Sequence, residues 1–111
     1  MTGGRIVSAD SVDDSPLILM QAGETTITAI RVINTTAAAA FVQLFDAAAI
    51  TDVTLGTTAP TWAVESSADG VGLGDGVPED GLVFKNGVVV GSTTTSTGST
   101  AAVQHVRLVI G

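Results

Sequence analysis

Eight short runs of β-branched and apolar residues follow one another along the chain, each bounded by glycine, proline or small polar residues. They are RIVSA (5–9), LILMQ (17–21), TTITAIRVIN (25–34), AAFVQLFDA (39–47), TWAVES (61–66), GLVFK (81–85), VVVGSTT (88–94) and AVQHVRLVI (102–110). Val, Ile and Thr are restricted at χ1 and pack well on a pleated surface, so runs of this length read as strands. The punctuation agrees: AGE (22–24), GTTAP (56–60), ADG (68–70) and STGST (96–100) are turn sequences. Many short strands between glycine-rich turns predict an all-β domain of about eight short strands, a sandwich or a barrel.

Three local readings sharpen that expectation. In the last run Val106, Leu108 and Ile110 alternate with His105, Arg107 and Val109, which predicts one buried face carrying the first set. Asn86-Gly87 between two apolar runs is a strong signal for a two-residue hairpin turn, with Gly87 at positive φ after a strand ending at Lys85. The alanine-rich segment 36–50 has helix propensity. Its apolar residues, however, cover the whole circumference of a helical projection, while Phe41, Gln43 and Phe45 alternate with Val42, Leu44 and Asp46. A strand with both faces partly covered fits better, a short helix being the alternative.

Length gives a single domain spanning 1–111, with residues 1–24 acting either as the first two strands or as an N-terminal arm that pairs with a neighbour by edge addition. No cysteine is present, which excludes a disulfide framework and a thiolate zinc site. Four Lys and Arg against eleven Asp and Glu leave a net charge of -7. Such a chain has no counterion-release term to bind nucleic acid directly. No apolar run reaches the roughly 20 residues of a spanning helix, and the acidic start does not read as a secretory signal. The expectation is a protein made soluble in the cytoplasm, with no membrane partner.

The search for chemistry returns no catalytic, cofactor-binding or metal site. GVGLGDG (70–76) lacks the third glycine of a dinucleotide fingerprint and the Lys of a phosphate loop, and reads as a loop. Asp69, Asp75, Glu79 and Asp80 crowd the same segment, 68–80. Without EF-hand spacing they read as solvated loop acids, the alternative being a calcium loop. His105 is the only histidine and no nucleophile elbow accompanies it, so a surface or interface position on a strand is expected. Asp13 and Asp14 before Ser15-Pro16 read as a turn entering a strand. Asn34-Thr35-Thr36 matches a glycosylation sequon, read as coincidence without a secretory signal. Trp62 is expected to be mostly buried in a core or subunit interface, and the scarcity of aromatics argues against a sugar- or base-stacking platform.

The order VQLFDAAAITDVTLGTTAP (42–60), then GLVFKNGVVVGSTTTSTGSTAA (81–102), then a closing strand resembles the small β-sandwich capsid decoration, or cement, proteins of tailed bacteriophages. The Gly81, Phe84 and Gly87 spacing is part of that likeness, which covers roughly the last two-thirds of the chain and leaves 1–24 uncovered. The resemblance implies a jelly-roll-like or Greek-key β-sandwich of about eight short strands, and a structural, non-enzymatic virion protein on the capsid surface. Its implied partners are the major capsid protein and further copies of itself, commonly as a trimer. It implies no catalytic residue and no cofactor. A phage tail or fibre component is the alternative, and a non-viral ligand-binding β module stands behind both.

Overall fold

A computed structural model of the chain describes residues 5–12, 17–68, 70–73, 80–100 and 102–111. Among them are nine strands: β1 (Arg5–Val12), β2 (Ile18–Ala22), β3 (Thr25–Asn34), β4 (Ala40–Asp46), β5 (Trp62–Ser66), β6 (Val71–Leu73), β7 (Leu82–Phe84), β8 (Gly87–Thr93) and β9 (Gln104–Ile110). They form two antiparallel sheets packed as a sandwich. Sheet A has the order β1-β9-β3-β6, with β7 also pairing β3, and sheet B has the order β2-β8-β4-β5. β6 pairs residues 31–33 of β3 and β7 pairs residues 25–27, so the two short strands share one position in the sheet. Counted that way each sheet has four positions, and the chain crosses between sheets at every connection except β4 to β5 and β6 to β7. This is the strand order of a jelly roll. No helix among the described residues is long and apolar enough to cross a membrane.

The core lies between the sheets. Ile27, Ile30 and Val32 of β3, Val42 and Leu44 of β4, Phe84 of β7, Val88 and Val90 of β8 and the predicted Val106, Leu108 and Ile110 of β9 meet there. His105, Arg107 and Val109 point the other way and are half-buried, as the alternation predicts. One end of this core is polar. The Gln104 amide donates to Ser92 Oγ at 2.6 Å and accepts from Ser66 Oγ, tying β9 to both β8 and β5 across the sandwich. Beside it, Asn34 is buried and donates to the carbonyls of Ala38 at 2.9 Å and Ser67 at 3.0 Å while accepting from the Thr36 amide at 2.9 Å. Buried amides placed this way cost little because their polar atoms are paired. The sequon asparagine is thus a structural tie whose side chain is enclosed.

The segments 5–12 and 18–22 pair within the chain's own sheets, β1 with β9 and β2 with β8. The alanine-rich segment holds strand β4 and one 3-10 turn (Ile50–Asp52), in place of a helix. Two expectations need correction. Val71–Leu73, read as loop, forms β6, because three residues of backbone find the free edge of β3 regardless of their glycine content. Asn86-Gly87 is not a hairpin turn, since β7 pairs β3 in sheet A and β8 pairs β2 and β4 in sheet B. The dipeptide makes a corner between sheets.

That corner explains its own residues. Gly87 has a φ of +148°, and a Cβ there would lie 2.7 Å from the Ala47 carbonyl oxygen and 2.9 Å from that of Gln21. Only glycine fits both the backbone and the space. The Asp46 carboxylate, at the end of β4, accepts from the amide of Lys85 at 3.0 Å and that of Asn86 at 2.7 Å. Partial burial pushes its pKa up, but the backbone amides of Asn86, Lys85 and Gly87 and the Asn86 side chain outweigh that and hold it below the ordinary carboxylate value. An acid on one strand thereby pins a corner some forty residues away.

Candidate functional site

The outer faces of the two sheets differ in what covers them. On sheet B, Gln43 and Phe45 of β4 and Val89, Gly91 and Thr93 of β8 point outward, paired across the strands as Phe45 with Val89 and Gln43 with Gly91. The chain folds back over them. Ala47 and Val53 from the β4–β5 connection close on Phe45 and Val89, with Leu55 and Leu17 packed alongside. Gly91 is where this roof sits lowest: a Cβ would come within 2.7 Å of Leu17 Cδ2 and 3.3 Å of Leu55 Cδ2. The β8–β9 connection covers the rest, the Gln43 amide donating to Thr93 Oγ1 at 2.7 Å and to the Gly98 carbonyl at 3.0 Å. All seven residues of β8 are buried as a result.

Among the described residues, sheet A has no such roof over its central strands. Ile6 of β1 faces Val109 of β9, which in turn faces Ala29 of β3, giving an apolar row across three strands. The next row is Ser8, Arg107 and Arg31, and beyond it His105 lies opposite Ile33. Ile6 is 67% exposed, the largest exposure of any bulky apolar side chain among the described residues. A register shift in β3 between Ile27 and Ala29 bends the sheet here, and Thr28 Oγ1 donates to the Val109 carbonyl at 3.2 Å. The result is a shallow groove of about 460 Å³ lined by Ile6, Ala29, Ile30, Arg31, Arg107 and Val109. Arg107 is held in place, its Nη1 donating to the Val106 carbonyl at 3.1 Å and reaching that of Ala9 at 3.5 Å.

A second cavity, of about 300 Å³, sits at the Asp46 corner between the β4–β5 connection and Asn86. Its carboxylate is already occupied with the corner's amides, and its Thr61 hydroxyl accepts from the Asp46 amide at 3.1 Å. This polar chemistry serves the fold.

The residues singled out from sequence are scattered. His105 lies on the outer face of sheet A, and Asp80 is exposed just before β7. Asp13, Asp14, Asp69, Asp75 and Glu79 lie outside the described residues. No group of three or more acidic or histidine side chains among the described residues could hold a metal ion. Trp62 is half-buried at the end of edge strand β5, packed against the core, and its Nε1 finds no acceptor among the described residues. The ring is mostly buried against the core and its indole nitrogen is enclosed, as expected from the sequence. Sequence reasoning did not find Ile6, Arg31 or Asp46. The first two are ordinary surface residues until the register places them on one face of sheet A, on either side of β9, and the partners of Asp46 are too distant in sequence for any local motif. No protein-family model, no curated protein and no solved structure matches this chain.

Proposed function

We propose that this chain is a structural virion protein that binds the outer surface of a phage capsid and strengthens the shell as a cement subunit. The observation that carries the reading is the contrast between the sheets. One is covered on both faces by the chain itself, while the other, among the described residues, presents an apolar row and the exposed Arg31. A jelly roll finished on one side and open on the other is suited to assembly, since exposed apolar rows rimmed by polar groups mark protein contacts. The order of strands and turns over 42–60 and 81–102, which resembles phage decoration proteins, supports the same reading. Several linked copies, each making a modest contact with the shell, would gain avidity that a single copy lacks. Shells prepared without the protein provide the test. Added protein is expected to bind at fixed sites and to raise the temperature at which the particle releases its DNA. Failure to bind such shells, with binding to tails instead, would replace the capsid reading with a tail or fibre one.

A further inference from the structure

Asn86-Gly87 is a reactive dipeptide as well as a corner. The backbone nitrogen that follows an asparagine can attack the side-chain carbonyl carbon, and glycine in that place has no side chain to hinder it. The attack closes a five-membered succinimide. In this chain the Gly87 nitrogen would bond to Asn86 Cγ while the Cγ–Nδ2 bond breaks, and the proton lost from the Gly87 nitrogen is made up on the departing ammonia. Water then opens the ring at either carbonyl, leaving aspartate at 86 or isoaspartate, in which the backbone runs through the former side chain. One water is consumed and one ammonia released, with no change of oxidation state. Asn86 is exposed, so water reaches it. The chain's other asparagine, Asn34, is buried, hydrogen-bonded through its side chain and followed by the β-branched Thr35, which confines the chemistry to the corner.

The fold holds this reaction back. Ring closure needs the peptide between Asn86 and Gly87 to turn until its nitrogen faces Cγ, and that peptide is tied by its carbonyl, which accepts from the Gly23 amide at 3.1 Å. On one side the Asn86 amide donates to Asp46 Oδ1 at 2.7 Å, and on the other the Gly87 carbonyl accepts from the Ala47 amide at 3.2 Å. The Asp46 carboxylate also draws on the Gly87 amide and the Asn86 side chain, the two groups that would react with each other. A negative charge there opposes loss of the Gly87 proton. We propose that Asn86 is a modification site gated by this corner: closed, it is protected by Asp46 and Gly23, and opened, it converts to aspartate or isoaspartate and no longer closes as before. Isoaspartate lengthens the backbone by a methylene between two carbonyls fixed by Gly23 and Ala47. Either product also sets a second carboxylate beside that of Asp46, which like charges disfavour. The inference is independent of what the chain assembles with.

Incubation of the full chain at mildly alkaline pH, well below its melting temperature, provides the test. Amide-to-acid conversion and isoaspartate are read by mass spectrometry in the tryptic peptide from Asn86 to Arg107, which holds no aspartate of its own. Folded wild type is expected to convert at least about tenfold more slowly than the same chain in urea, since only the opened fraction reacts. Asp46→Asn should convert several-fold faster than wild type. It should also outpace Val106→Ala, a core variant on β9 that loosens the sandwich without touching the corner's hydrogen bonds. Isoaspartyl chains, separated from the unmodified protein, should melt at a lower temperature. Conversion of folded wild type as fast as in urea would overturn the proposal. So would Asp46→Asn reacting no faster than wild type, because the carboxylate would then be idle or would itself promote the attack. Val106→Ala matching Asp46→Asn would make global unfolding the gate and sink the role of the corner. Isoaspartyl chains that melt with wild type would overturn the failure to re-close.

Discussion

β8 and β9 are neighbours in sequence and belong to opposite sheets, and they show what covering a face does to a strand. Every residue of β8 is buried, whereas β9 alternates between buried and half-buried along its whole length. The sequences differ in the same way: GVVVGST has no long polar side chain, while QHVRLVI interleaves His105 and Arg107 with its inward set. A strand covered on both sides gains nothing from alternation, and one with a single covered side needs it. The roof on sheet B therefore acts as a small second core, and the face of sheet A is a surface in the ordinary sense. Substitutions on the two faces should be unequal in their cost.

The largest inequality is expected between Phe45 and Ile6. Phe45 is 2% exposed beneath Val53 and beside Val89, so Phe45→Ala should cost about 3 to 5 kcal/mol by urea denaturation. Ile6→Ala on the open face should cost less than about 1 kcal/mol in dilute protein, because its side chain is already largely in water. Equal costs at the two positions would mean that the roof is loose or that the open face is covered, and the contrast between the sheets would fail.

The corner that joins the sheets comes next. Gly87→Val places a branched side chain against two carbonyl oxygens in a backbone conformation that resists any Cβ, and should cost about 2 kcal/mol or more. A melting temperature unchanged by the substitution would show that β7 and β8 are not connected as described. The loss should be larger than that of Gly23→Ala at the neighbouring corner, where φ is +78° but no atom lies within 4 Å of the added Cβ.

Much of this fold is legible from the residues, for reasons that differ by element. β3 is readable to its ends because eight of its ten residues are β-branched or apolar, and the run is bounded by Gly23 before it and closed by Asn34, whose side chain turns the chain. β9 is readable because one of its faces is open, and alternation is the direct trace of an open face. β6 is not readable: three residues with a central glycine form a strand only because β3 offers an unpaired edge. The Asn86-Gly87 signal was correct about glycine and wrong about geometry. A dipeptide reports the backbone it permits, while the choice between hairpin and corner is made by β3 and by Asp46, which recruit the flanking strand and the corner amides. The open face itself is a property of register across β1, β9 and β3, and no single run contains it.

A smaller effect should appear at Asp46, and it carries a pH signature. Its carboxyl titrates below the ordinary value in the folded chain, so the stability it contributes is present above the unfolded pKa of about 3.9 and is lost as pH falls through the folded value. Asp46→Asn keeps the shape but can accept from only one of its two sides. It should cost about 1 kcal/mol near neutral pH, below the usual range for charged hydrogen bonds because the carboxylate is partly open to water. Melting curves of the two proteins should converge as pH drops below about 4. A gap that persists undiminished at pH 2 would assign the loss to packing instead of the charge.

The smallest effect is the most telling for the open face. Arg31 is exposed on the outer face of sheet A, and removing its charge should change stability by less than about 1 kcal/mol. Arg31→Gln keeps most of the aliphatic stem over the sheet, so little packing is lost with the charge. Measured in dilute protein, its unfolding free energy should therefore stay close to that of wild type. A destabilisation beyond about 1 kcal/mol would place Arg31 among the structural residues of sheet A. The face would then be as much a part of the chain's own packing as the roofed face of sheet B, and the difference between the two sheets would no longer point outward to a partner.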